Sequence, residues 1–212
     1  MIMNVATYEQ RLSADPRWAL SEGSKFFEEK SAVQDALRKI AKRLSELSIP
    51  HAIAGGMALF QHGYRRFTED VDVLVTRAGL QTIHEALEGL GYVPPFQGSK
   101  NLRDAENGVK IEFLVSGDYP GDGKPKPVAF PEPDDVTEII DGIRCVNLPT
   151  LITLKIASGM TNPARLKDLA DVQELIKHLK LPQQYADNLH PFVQHEFLEL
   201  WEGVQKGLAD QE

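Results

Sequence analysis

Ala54-Gly55-Gly56 and, after a gap of thirteen residues, Asp70-Val71-Asp72-Val73 decide how this chain is read. Val71, Val73 and Val75 alternate with Asp70, Asp72 and Leu74, the period of a strand with one buried face. Residues i and i+2 of a strand share a face, so Asp70 and Asp72 stand side by side. Like charges so placed repel, and Asp is a poor strand former. A divalent cation, magnesium or manganese, would relieve the repulsion, because hard cations prefer carboxylate oxygen. Upstream, His51-Ala52-Ile53-Ala54 reads as a short buried strand, and residues 57–62 as a short helix that Gly63 stops. Gly55-Gly56 then forms a turn between strand and helix, where bare backbone N–H groups favour phosphate and the missing Cβ allows close approach.

Working outward, residues 109–115 form a second strand, with Ile111, Phe113 and Val115 opposite Lys110, Glu112 and Leu114. An acid at Glu112 is unexpected there unless its face opens on a site, so Glu112 is the candidate third carboxylate. Residues 28–47 have helical spacing of Val33, Leu37, Ile40, Leu44 and Leu47, and residues 80–90 form a second amphipathic helix. Residues 1–25 suggest a short helix or a loose arm. Residues 92–108 read as a loop with room for one strand, and residues 116–133, rich in Gly, Pro, Asp and Lys, as an exposed loop. Short strands are expected at 138–140 and 143–146, then helices at 151–158, 164–179 and 192–207, with Pro149 in a first helical turn. The class is α+β: an N-terminal arm (1–27), an α+β core (28–148) and a helical C-terminal region (149–212).

The 212 residues carry a formal net charge of −8 and a single cysteine, Cys145. One cysteine excludes an internal disulfide and a cysteine-based zinc cluster. The acidic balance gives no support for sequence-specific DNA binding. Locally, however, Arg65, Arg66, Lys100, Arg103 and Lys110 surround the central motif in sequence. No apolar run approaches the ~20 residues of a membrane span, and the N-terminal stretch lacks a basic patch followed by an apolar one, so no secretory signal, no membrane partner and a cytoplasmic location are expected.

The paired glycines, the Asp70-Val71-Asp72-Val73 strand and Ile111-Glu112-Phe113 together resemble the signature of the nucleotidyltransferase superfamily. Arg66-Phe67-Thr68-Glu69-Asp70, with Lys155 and then Arg165-Leu166-Lys167-Asp168 and Asp171, resembles its AbiEii-type branch, which includes toxins of toxin–antitoxin systems. The resemblance implies a nucleotidyltransferase fold, a small mixed β-sheet packed on helices with a helical C-terminal part. It implies metal-dependent transfer of a nucleoside monophosphate from a nucleoside triphosphate to RNA, a protein or a small molecule, with an antitoxin as a further partner. Asp70, Asp72 and Glu112 would hold the metal. Gly55, Gly56, Arg66, Thr68 and Lys155 would contact the nucleotide, and Lys155 and Asp168 would assist catalysis. Two other readings fit the same residues: a catalytically inactive binding or regulatory module of this fold, and a metal-dependent nuclease or phosphatase, which has less need of the glycine turn.

Overall fold

The computed structural model describes residues 7–209; residues 1–6 of the expected arm and 210–212 of the expected helical region lie outside them. From the N-terminus, α1 (Tyr8–Ala14), α2 (Pro16–Phe27) and α3 (Ala32–Glu46) lead into β1 (His51–Ala54), α4 (Gly55–Gln61), β2 (Asp70–Val75) and α5 (Arg77–Leu87). The short strands β3 (Tyr92–Val93) and β4 (Leu102–Asp104) precede β5 (Lys110–Val115). A single turn, α6 (Pro133–Val136), leads to β6 (Thr137–Ile140) and β7 (Ile143–Val146). The helices α7 (Leu148–Thr161), α8 (Leu166–Leu179) and α9 (Pro191–Ala209) follow.

Among the described residues the strands form one seven-stranded sheet in the order β3-β4-β5-β2-β1-β7-β6. It is mixed: β2 runs parallel to β5 and β1 parallel to β7, whereas β1 and β2 are antiparallel. Strand alternation sends Val71, Val73, Val75, Ile111 and Phe113 to one face, where they bury against Val33, Leu37 and Ile40 of α3 and Ile83 of α5. Ala52, Leu74 and Val146 face the other way, under Ile152 and Ile156 of α7, Val172 of α8 and Phe197 of α9. The expected α+β class with a mixed sheet and a helical C-terminal part is therefore the observed architecture.

Three local expectations change. The N-terminal stretch holds two helices, and Tyr8 and Phe26 are fully buried. Thr7 and Asp15 cap the two helices. Phe26 packs edge-on against Phe60 at 5.3 Å and tilted against Phe67 at 5.1 Å between centroids. Widely spaced aromatic anchors in a polar stretch produce no periodic signal. Second, α3 starts at Ala32, not near residue 28, because Ser31 and Gln34 form a reciprocal capping box and Glu29 has φ +62°. Third, the stretch after α5 contains two strands, paired at Tyr92–Asp104 and Val93–Arg103, too short for alternation to reveal.

Candidate active site

The register of the central strands assembles the acids. β2 and β5 align Asp72 with Glu112 and Asp70 with Lys110, and β1 sets Ala54 beside Asp72. The even-numbered side chains of β2 and β5 face the α7–α9 layer. Leu74 and Leu114 pack there, and Asp70, Asp72 and Glu112 cluster on the same face toward the start of the two strands. One carboxylate oxygen from each of the three lies within 4.8 Å of the others. Thr68 Oγ1 donates to Asp70 Oδ1 at 2.8 Å, and the Lys110 ammonium pairs with Glu112. Burial, then the charges of Asp70 and Glu112, push the Asp72 carboxyl up to about 7. Hard oxygen donors whose mutual repulsion is only partly offset by Lys110 fit a divalent cation such as magnesium.

Both glycines of the turn are fixed by these neighbours. Gly55 has φ +56°, and a Cβ on it would lie 1.7 Å from Asp72 Oδ2. A Cβ on Gly56 would lie 2.7 Å from Thr68 Oγ1, the hydroxyl that holds Asp70. The pair therefore lets a strand-to-helix turn press against Asp72 and Thr68. Gly55→Ala combines left-handed strain of ~1 kcal/mol with that overlap, so it is expected to lower stability by about 2 kcal/mol or more. Urea denaturation would measure it. A variant as stable as the parent would show that the turn relaxes freely and that Asp72 is not held by it.

A cleft of about 220 Å³ opens beside the acids. Gly55, Asp72, Glu112, Lys155 and Asp168 line it, so five of the nine residues expected at the site meet there. Lys100, Tyr119, Ser158 and Arg165 also line it. Lys155 comes from α7 and is nearly buried; its Nζ donates to Asp168 Oδ1 at 2.9 Å and to Asp171 Oδ2 at 2.7 Å. Ser158 Oγ donates to Asp168 Oδ2 at 2.7 Å, and Arg165 Nε donates to the same oxygen at 2.9 Å. Burial alone would raise the Asp168 carboxyl, but Lys155, Ser158 and Arg165 together hold it below the usual range. This is a connected buried network, not a set of surface pairs.

Arg66 and Thr68 sit behind the site. Arg66 grips Asp171 with two nitrogens, at 2.6 and 2.8 Å, and its third donates to the Phe67 carbonyl at 3.2 Å. Gly56 is packed against Thr68, which is itself buried. Arg66 thus braces the Lys155 network and Thr68 orients Asp70. The cleft's remaining walls come from the loops after β3 and β5, whose Lys100 and Tyr119 carry no periodic signature. In the sequence, Lys100 stands out only as one of five cations near the motif.

A family model described as "Uncharacterised nucleotidyltransferase" matches residues 4–189 of the chain. No curated protein matches. Among solved structures, JHP933 from Helicobacter pylori is similar at 18% identity and a TM-score of 0.46, covering 84% of this chain and 93% of its own. An antigenic nucleotidyltransferase-like protein from Paracoccidioides brasiliensis is similar at 15% identity and a TM-score of 0.44, covering 79% and 91%. The ANT(2")-Ia protein, solved with adenylyl-2"-tobramycin, is similar at 12% identity and a TM-score of 0.41, covering 82% and 97%. Among the described residues, no helix is long and apolar enough to cross a membrane.

Proposed function

The chain belongs to the uncharacterised nucleotidyltransferase family, and from that premise we propose that it transfers a nucleoside monophosphate from a nucleoside triphosphate to an acceptor in the cytoplasm. One observation carries the reading: Asp70, Asp72 and Glu112, from two strands far apart in sequence, converge within 4.8 Å, and Asp72 and Glu112 line the cleft. A divalent cation held by these carboxylates would neutralise phosphate charge and make the α-phosphorus more electrophilic.

The chain's own groups have separable roles. Thr68 fixes the rotamer of Asp70 through its 2.8 Å hydrogen bond. Gly55 lines the cleft, and its missing Cβ is what lets the Asp72 carboxylate sit against the turn. Lys155, its charge matched by Asp168 and Asp171, forms part of the cleft wall and holds α7 against α8. Asp168 acts as a positioning residue, since its two oxygens are engaged by Lys155, Ser158 and Arg165. In the reaction the acceptor oxygen bonds to the α-phosphorus as the bond to the bridging oxygen breaks. The electron pair leaves with pyrophosphate, and the acceptor's proton passes to solvent.

The acceptor class, RNA, protein or small molecule, is best found by experiment. The full chain is incubated with magnesium, each α-labelled nucleoside triphosphate and cell extract. Label should appear on one class of product with pyrophosphate release, and both should vanish in Asp70→Ala. Triphosphate binding without any label transfer would instead favour an inactive binding module. Inorganic phosphate or cleaved nucleic acid without a nucleotide adduct would make hydrolysis the activity. The toxin–antitoxin placement rests on Arg66-Phe67-Thr68-Glu69-Asp70 and the pattern from Lys155 to Asp171. It predicts growth arrest on expression, relieved by a partner protein.

A further inference from the structure

Five cations flank the central motif in sequence, and the fold ties down four of them. Arg65 pairs with Glu29 at 3.2 Å and lies over the Phe60 ring. Arg66 is held by Asp171, Arg103 by Glu9 at 2.9 Å and the Gly108 carbonyl at 2.8 Å, and Lys110 by Glu112. The fifth, Lys100, lines the cleft with Asp72 and Glu112, and among the described residues no carboxylate lies within ion-pair distance of its ammonium. The cleft's other cations are engaged: Lys155 stands between two aspartates, and Arg165 is bonded to Asp168 through Nε.

The base of the Lys100 side chain is anchored. Its carbonyl accepts from His84 Nε2 at 3.1 Å. The next residue, Asn101, accepts from the Phe113 amide at 3.0 Å, one position beyond Glu112 on β5, and its own amide donates to Ser99 Oγ at 3.0 Å. A flexible arm with an unmatched charge is thus mounted on a fixed point beside the acidic cluster. Lys110 and one divalent cation together only balance the three carboxylates, so the cluster with its metal has no surplus positive charge to offer a polyanion. A triphosphate entering the cleft needs positive charge from elsewhere.

We propose, resting on the nucleotidyl-transfer reading above, that Lys100 supplies that charge, binding the phosphates that depart as pyrophosphate. As the acceptor oxygen bonds to the α-phosphorus, the bridging oxygen takes the electron pair of the broken bond, and the Lys100 ammonium meets the charge gathering on the leaving group. A lysine suits this role, because its ammonium is a compact point charge on a long stem that follows the phosphate outward. Lys100 touches the leaving group and leaves the buried network of Lys155 unchanged.

The test is calorimetric titration of the full chain with magnesium tripolyphosphate, which needs no knowledge of the base or the acceptor, alongside thermal melting. Lys100→Gln should bind about tenfold more weakly or worse, the scale of one charge-assisted hydrogen bond. Lys100→Arg should stay within about threefold of the parent, since it keeps the charge. The parent and both variants should melt together, because Lys100 is exposed. Equal binding by Lys100→Gln and the parent would overturn the proposal and leave the transfer reading intact. A melting loss that tracks the loss of binding would assign Lys100 a packing role and overturn it as well. No binding by the unaltered chain would overturn the transfer reading itself, and this inference with it.

Discussion

Lys155→Met is expected to destabilise the protein by about 3–5 kcal/mol, the usual penalty for stranding a buried charge. The ammonium sits 2.9 Å from Asp168 and 2.7 Å from Asp171, and all three residues are nearly inaccessible to solvent. Methionine matches the stem in shape but leaves two buried carboxylates facing each other, one braced by Arg165 and Ser158 and the other by Arg66. The pH dependence gives a second signature. The Asp168 carboxyl lies below its unfolded value in the parent, so its stabilisation is complete above pH ~4 and is lost as the pH falls through the lowered folded value. In the variant the same carboxyl loses its main partner and takes up a proton more readily, so the deficit should shrink on acidification from pH 8 to pH 5. Urea denaturation at several pH values would measure both effects. A loss below about 1 kcal/mol would mean that Arg66 and Arg165 alone satisfy the two acids, and that Lys155 does not hold α7 to α8.

That network marks where sequence reading stops. Asp168 and Asp171 continue, at helical spacing, the same stripe as Val172, Leu175 and Ile176, and all five are buried. The pattern is present in the sequence, but two acids beside Arg165 and Lys167 look like an exposed face, while Leu166, apolar, is in fact 65% exposed. What reverses the expectation is a tertiary partner, Lys155 of another helix, which no local pattern reports. The acid pair of β2 is legible because two neighbouring aspartates on a valine strand contradict local propensity. Glu112 is legible for the same reason, but its register beside Asp72 is not. A parallel pairing across a long crossover is fixed by packing of Ile111 and Phe113, not by any adjacent turn. Sequence alone reads Gly55 and Gly56 for what they offer a phosphate. The structure adds an internal cause, their contact with Asp72 and Thr68, that a sequence cannot display. Lys100 lies in a stretch with no period at all, so its place on the cleft wall can come only from the fold.

Asp72→Asn is expected to reverse in sign with magnesium. In the parent, burial together with Asp70 and Glu112 raises the Asp72 carboxyl to about 7. Between its unfolded value near 4 and this raised value, the folded state binds more protons than the unfolded state, so stability falls as pH rises through that window. At pH 8 the ionised Asp72 is a net burden on the metal-free protein. Asparagine removes that charge in nearly the same shape and should raise metal-free stability there by on the order of 2 kcal/mol, discounted because Asp72 is partly open to the cleft. Magnesium should stabilise the parent and do little for the variant, so their melting order inverts when the ion is added. Magnesium affinity of the parent should weaken below pH 7, as the cation must displace a proton. Nucleotidyl transfer, once its acceptor is in hand, should fall by about a thousandfold in the variant, the scale of removing one fixed electrostatic group from a reaction centre. Melting curves at pH 6 and pH 8, with and without magnesium, decide the physical part. If Asp72→Asn is less stable than the parent without magnesium at pH 8, Asp72 is already compensated by Lys155 and Arg165, and the acidic cluster does not call for a cation.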